Sequence, residues 1–243
     1  MDRDLALVDI WVYLSASPLL HLTLTVGAYL LGDWLFQRSG RRAVFNPVLL
    51  AVIVLVLFLV ATDTDYPTYF AGAQFVHFML GPATVALAVP LYRNLPLIRR
   101  LWAPILAAIL TGALVSATST VWVAQLLGAS RQTLLSLAPK SVTAPVAMGI
   151  TEKVGGLASL SAALVVLTGV LGAVIGTWVL ALVRVRDDRA RGIALGLSSH
   201  GIGTARAFQI SDTAGAFSAL AMGLMALISA FALPFVLRWV FGG

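Results

Sequence analysis

Pro139, Lys140, Ser141, Thr143 and Pro145 fall within one window, LAPKSVTAPVAMGITEKVGG from Leu137 to Gly156, between two apolar runs long enough to cross a bilayer. Proline cannot donate a backbone hydrogen bond and clashes with the preceding turn, so the pair predicts a helix break between about Lys140 and Ala144. Inside a bilayer the freed N–H and C=O groups survive only where protein buries them or a wet cavity receives them. An ammonium at that depth costs about 3 kcal/mol or more unless solvated or paired, which makes Lys140 a functional candidate. A solvated lysine in an extramembrane loop is the plain alternative. A second polar stretch, SSHGIGTARA at Ser198 to Ala207, adds His200, Gly201, Gly203, Thr204 and Arg206. Cations and hydroxyls together suit an anion, helix N-termini starting inside such breaks add a positive dipole end, and glycines let backbone approach a small ligand. The substrate-binding candidates are therefore Lys140, Ser141, Thr143, His200, Gly201, Gly203, Thr204 and Arg206. His200, with an ordinary pKa of about 6.5, and Glu152 are candidates for proton coupling. Each has a structural alternative: a snorkelling Lys140, a hydrogen-bonded structural His200, an interfacial Arg206, and a helix-end pair of Glu152 with Lys153.

These residues need a membrane scaffold, and the composition supplies one. Hydrophobic residues make up 60% of the 243 positions and charged residues 11%, against about 25% charged in soluble domains. The expected class is all-α, a single integral membrane domain over 1–243 with about 6–8 transmembrane segments, including proline- or glycine-broken or re-entrant helices. There are no cysteines, and the three histidines, His21, His77 and His200, are far apart. Thiolate sites are excluded, and neither a metal site nor a cofactor is expected. The net charge of +6 sits in loops beside spans and points to membrane orientation rather than nucleic acid.

The first residues, MDRDLALVDIWVYLSASP, lack the basic, apolar and small-residue order of a signal peptide, so the N-terminus is expected to be retained. Spans are expected over 14–36, with His21 as a satisfied interior or interfacial histidine, and over 43–62, where Asn46 reads as a cap before Pro47. A third runs from Tyr66 to Tyr92, with helix breaks at Gly81 and Pro82. Long charge-free runs at 101–130 and 154–183 follow, the second with a small-residue stripe at Gly169, Gly172 and Gly176 suited to close packing. Residues 192–206 are too polar for a plain span and too apolar for a loop, and 213–237 is the last span. Shifting the chain by 57 residues aligns 80–126 with 137–183 at 10 of 47 identical positions, matching Pro82 with Pro139, which suggests an internal repeat. The positive-inside rule keeps Arg93, Arg99 and Arg100 on the same side as Arg184 to Arg191 only if the Lys140 segment is re-entrant. A full crossing, violating the rule once, is the alternative.

The chain closely resembles the LrgB/CidB family over nearly its whole length, through NPVLL at Asn46, GPATVALAVPLY at Gly81, LAPKSVTAPVAMGITEKVGG and SHGIGTARA. The resemblance implies a multi-pass protein of the bacterial cytoplasmic membrane with a small LrgA/CidA-type membrane partner, in a homo- or hetero-oligomer. The leading expectation is a secondary carrier of small monocarboxylates such as pyruvate, glycolate or glycerate, with the anion held by the broken helices at 139–147 and 198–207; the alternative that the resemblance implies is an antiholin-like regulator of murein hydrolase activity and cell lysis. No catalytic residues and no enzyme activity are expected, because adjacent Ser199 and His200 project in different directions and cannot act as nucleophile and base.

Overall fold

In a computed structural model of the chain, residues 17–242 are described, and they divide into two compact units on either side of the Ala86–Leu87 bond. Every regular element among them is helical.

The first unit holds α1 (Pro18–Arg38), a 3-10 turn at Ala43–Phe45, α2 (Pro47–Ala61), α3 (Tyr66–Phe78) and α4 (Leu80–Ala86). The expected first span began at Leu14, and residues 14–16 lie outside the described ones. Asn46 does cap α2, its side chain accepting from Val48 N at 2.9 Å and Leu49 N at 3.2 Å, with Pro47 opening the helix. That cap delays the second helix to Pro47 and leaves it 15 residues long, about 22 Å at 1.5 Å per residue. His21 is interior, 1% exposed, but not satisfied as expected: neither ring nitrogen has a hydrogen-bond partner, and the ring lies edge-on to Tyr69.

The second unit holds α5 (Ala88–Arg93), α6 (Leu95–Arg100), α7 (Trp102–Leu126), α8 (Arg131–Leu137), α9 (Ala144–Val154), α10 (Ala158–Leu182), α11 (Asp188–Phe208) and α12 (Asp212–Phe241). The helical run from Tyr66 to Arg93 is interrupted at Met79 and Leu87, each three residues before a proline, Pro82 and Pro90. Neither proline has an N–H for the carbonyl four residues back, so the ladder opens there rather than at Gly81 and Pro82 themselves. Among the described residues five helices are long and apolar enough to cross a membrane: α1, the interrupted run 66–93, α7, α10 and α12. Trp102, Trp122, Trp178 and Trp239 are exposed near the ends of the last three, as an interfacial aromatic belt requires. The chain is a polytopic membrane protein.

Contacts along α12 fix the polarity of the second unit. Near its start Phe217 and Ala221 pack with Ile105 and Ile109 at the beginning of α7. Near its end Arg238 donates to Lys153 O and Arg131 donates to Gly242 O. Helices α7 and α12 therefore run the same way. The side on which they start carries Arg93, Arg99, Arg100, Arg184, Arg186, Arg189, Arg191 and Arg206; the far side carries Arg131, Lys153 and Arg238.

Segment 131–156 does not cross. Leu157 N, just past α9, donates to Ser136 Oγ of α8 at 2.8 Å, while the turn between the two helices reaches Met225, halfway along α12, where Val142, Ala147, Ile150 and Val165 form one apolar cluster. Helices α8 and α9 are thus the arms of a hairpin that enters and leaves on the far side, which is the re-entrant arrangement. α10 then runs from the far side to the basic side.

α11 is a second hairpin. His200 has φ 41 and ψ −128, a left-handed conformation strained for a residue with a Cβ. Beyond it the chain doubles back, so that a Cβ on Gly203 would collide with the carbonyl oxygen of Leu195 and come within 2.6 Å of Ser199 Cβ. In a straight helix residues eight apart lie about 12 Å from each other. This hairpin enters from the basic side. Its first arm packs on α12 through Gly192 and Gly196, where added Cβ atoms would strike the Ala214 and Ser218 carbonyls, and on α10 through Gly172, where one would strike Ser199 Oγ. The Gly169–Gly176 stripe is thus a packing seam, as its spacing predicts. The unit therefore repeats one pattern in opposite directions: hairpin then long helix, α8–α9 with α10, and α11 with α12.

Candidate functional site

The two hairpin turns approach the middle of the unit from opposite sides, and the first of them carries the polar chemistry. Between α8 and α9 the backbone closes tight turns, Lys140 N to Leu137 O at 3.0 Å and Val142 N to Pro139 O at 3.1 Å, so the proline break leaves few groups orphaned. Pro145 sits in the first turn of α9, and Thr143 occupies its N-cap with no side-chain capping bond. The positive end of the α9 dipole therefore points into the middle of the unit.

Lys140 is half-buried at this turn. Its Nζ donates to Ser141 Oγ at 3.1 Å, and Ser141 Oγ shares a 2.8 Å hydrogen bond with Ser116 Oγ in the middle of α7. The ion pairs among the described residues are Arg189 with Asp187 and Arg191 with Asp188, so no carboxylate among the described residues neutralises Lys140. Beside it lies a cavity of about 600 Å³ between α7, α10 and the first arm of α11, with Lys140, Ser141, Ser116, Thr168 and Ser198 as its polar lining. One cation and four hydroxyls within one cavity are a combination whose chemistry suits an anion.

The other residues expected at the site serve the second hairpin instead. His200 is buried, and its Nε2 donates to Val165 O of α10 at 2.9 Å, holding the strained turn against α10; Gly169 leaves room for the ring, which an added Cβ would approach to 2.6 Å. Thr204 Oγ1 donates to His200 O at 2.8 Å and bonds Ser218 Oγ of α12 at 3.0 Å. Gly203 lets the two arms close on each other rather than letting a ligand approach, and Gly201 is exposed, with Met222 Sδ the nearest atom to an added Cβ at 3.9 Å. Arg206 is at the base of the hairpin, on the basic side, donating to Gln209 Oε1 at 2.8 Å. Glu152 is exposed near the end of α9 on the far side. The structure thus joins Lys140 and Ser141 in one cavity, and Thr143, His200, Gly201, Gly203, Thr204, Arg206 and Glu152 do not line it.

Sequence reasoning missed Ser116, Thr168 and Ser198. Ser116 and Thr168 are hydroxyls inside long charge-free runs, where a serine or threonine usually bonds its own helix. In the 57-residue register Thr111 matches Thr168 and Gly112 matches Gly169, and that correspondence was the signal for Thr168 alone.

Residues 25–239 match the model of the LrgB-like family. The chain is 36% identical to the uncharacterized protein YwbG of Bacillus subtilis over 91% of its own length and 98% of that protein. It is 30% identical to the holin-like protein CidB of Staphylococcus epidermidis over 91% and 96% of the two chains, and 26% identical to the antiholin-like protein LrgB of Bacillus mycoides over 93% and 98%. No solved structure matches.

Proposed function

Because the chain belongs to the LrgB-like family, we propose that it is an antiholin-like or holin-like protein of the bacterial cytoplasmic membrane that regulates murein hydrolase activity and cell lysis with a small LrgA/CidA-type membrane partner. The observation that carries this reading is similarity over at least nine-tenths of the chain to proteins named holin-like CidB and antiholin-like LrgB. By the positive-inside rule the arginine-rich side of the second unit faces the cytoplasm. The test is a deletion strain complemented with the chain, with and without the partner, scored by murein hydrolase zymography and autolysis rate. Unchanged autolysis in the deletion strain would sink this reading.

A second reading has a specific observation behind it: Lys140, a cation with no counter-ion among the described residues, beside a hydroxyl-lined cavity in the middle of the unit. It supports a carrier of small monocarboxylates, in which Lys140 draws the carboxylate and Ser141, Ser116 and Thr168 donate hydrogen bonds to it. Uptake of labelled pyruvate and glycolate into proteoliposomes, with the chain alone and with its partner, tests it. Saturable uptake lost in Lys140→Ala supports a carrier; uptake equal to that of empty liposomes refutes one. The two readings are compatible, since carboxylate flux can feed the lysis response, and neither requires enzyme activity.

A further inference from the structure

Two cavities meet at one hydrogen bond. The 600 Å³ cavity beside Lys140 runs along residues 168–180 of α10, the part of that helix nearest the basic side, and along 194–198 of α11, the part of its first arm nearest the turn. A second cavity of about 220 Å³ runs along residues 225–236 of α12, the half of that helix nearest the far side, past Pro139 and Val142 and the middle of α7 at 110–118. Ser116 and Ser141 line both. The first hairpin turn is the partition between them: Lys140 looks towards the basic side, Pro139 and Val142 towards the far side, and the 2.8 Å bond between the two serine hydroxyls closes the seam. Nothing the size of water passes between oxygens so close.

We propose that the Ser116–Ser141 hydrogen bond is the closed neck of a path through the second unit, so that the structure is open to the basic side and shut to the far side. This rests on the carrier reading for what travels along the path, though not for the existence of the neck. The chemistry suits a neck that opens. The bond joins two neutral side chains on separate elements, the middle of α7 and the hairpin turn, and Ser141 Oγ keeps its bond from Lys140 when Ser116 withdraws. The basic-side cavity carries the cation, whereas the far-side cavity offers only hydroxyls such as Ser229 among apolar walls. An anion would therefore be held at Lys140 until the neck parts.

The chain has no native cysteine, which makes the test direct. Single variants Thr168→Cys and Ser229→Cys, one in each cavity, are exposed in oriented membrane vesicles to a membrane-impermeant thiol reagent from each side in turn. The expected result is modification of Thr168→Cys from the basic side only and of Ser229→Cys from the far side only. Adding Ser116→Ala should raise the rate at Ser229→Cys from the basic side by tenfold or more. The neck is overturned if both cysteines react from the same side, if Ser229→Cys fails to react from the far side, or if Ser116→Ala leaves sidedness unchanged. In vesicles with Lys140-dependent carboxylate flux, oxidising Ser116→Cys/Ser141→Cys to a disulfide should cut flux at least tenfold, with recovery on reduction. Undiminished flux through fully cross-linked protein also overturns the neck. Vesicles without any such flux refute the carrier reading, and the labelling pattern alone then decides the neck.

Discussion

Replacing Gly203 with alanine separates the two possible shapes of α11. In a straight helix Gly203 and Gly201 would be equivalent interior glycines, and alanine at either would gain about 0.5–1 kcal/mol of helix propensity. In the observed hairpin they differ. The added methyl at Gly203 would collide with the Leu195 carbonyl oxygen and lie 2.6 Å from Ser199 Cβ and 3.1 Å from the Leu195 carbonyl carbon. These are backbone and Cβ atoms that no rotamer change can move, so the arms must part. Overpacking of this kind costs about 1–3 kcal/mol, which outweighs the propensity gain and leaves Gly203→Ala about 1–2 kcal/mol less stable than the parent. At Gly201 the nearest atom is Met222 Sδ at 3.9 Å, an ordinary contact, so Gly201→Ala should be neutral or better. At about 2–4 °C per kcal/mol for a chain of this size, Gly203→Ala should melt roughly 2–8 °C lower in detergent, read by fluorescence-detected size exclusion after heating. If Gly203→Ala melts at or above the parent temperature, the hairpin is wrong.

Asn46→Ala removes the two capping bonds at the start of α2 and should cost about 1 kcal/mol, measurable as a lower melting temperature that Asn46→Asp largely restores. Asp187 caps α11 through Arg189 N and Ala190 N and also pairs with the Arg189 side chain, which is the first reason its carboxyl is held well below the usual range. A lowered folded pKa contributes stability above the unfolded value of about 3.9 that is lost as pH falls through the folded one. Asp187→Ala should therefore destabilise at neutral pH and cease to matter only in strong acid. The ion pair is solvent-exposed and such pairs contribute little, so Arg189→Ala should do far less than Asp187→Ala in the same melting assay. His200→Ala removes the bond to Val165 O while keeping the strained φ. It should loosen the hairpin turn and speed amide exchange around residues 198–202, whereas His200→Gly, which relieves the strain, should exchange more slowly than His200→Ala.

The first hairpin was legible because proline speaks for itself. Pro139 and Pro145 mark a break wherever they occur, and a lysine among apolar runs marks its own cost, so Lys140 and Ser141 could be read at once. The second hairpin has no proline. Its turn is made by a histidine in a left-handed conformation, which no residue type announces, and its glycines at 192, 196 and 203 serve packing between helices, the same residue type that a ligand's close approach would require. Thr204, His200 and Arg206 therefore looked like ligands in the sequence, and the fold uses their polar atoms to hold a tip against α10, to tie it to α12, and to finish a helix at the basic side. Ser116 was hidden for the converse reason: in sequence it is one hydroxyl among several in α7, and only the turn from another element gives it a cross-element partner.

The charge pattern and the first hairpin constrain each other. Arg99 and Arg100 precede α7, and Arg184 and Arg186 follow α10. With α7 and α10 as the full crossings between them, these clusters share a side only if 131–156 contributes an even number of crossings. A hairpin contributes none. Had the segment spanned, α10 would run the other way: the RVRDDRAR loop would join Arg131 on the far side while Lys153 and Arg238 moved to the side of Arg99 and Arg100, erasing the asymmetry that orients the unit. The proline break that makes room for Lys140 is thus also what returns the chain to its starting side. The same turn that places Lys140 in the middle of the unit inverts the helix that follows, so α10 and α12 run antiparallel, each packed on the hairpin of α11. Abolishing the turn, for instance by Pro139→Ala with Pro145→Ala, should then disturb topology as well as binding. Moved to the other face, residues 184–191 would become reachable by a protease added from the far side, and unchanged protection of that loop in the double variant would show that the hairpin does not depend on its prolines.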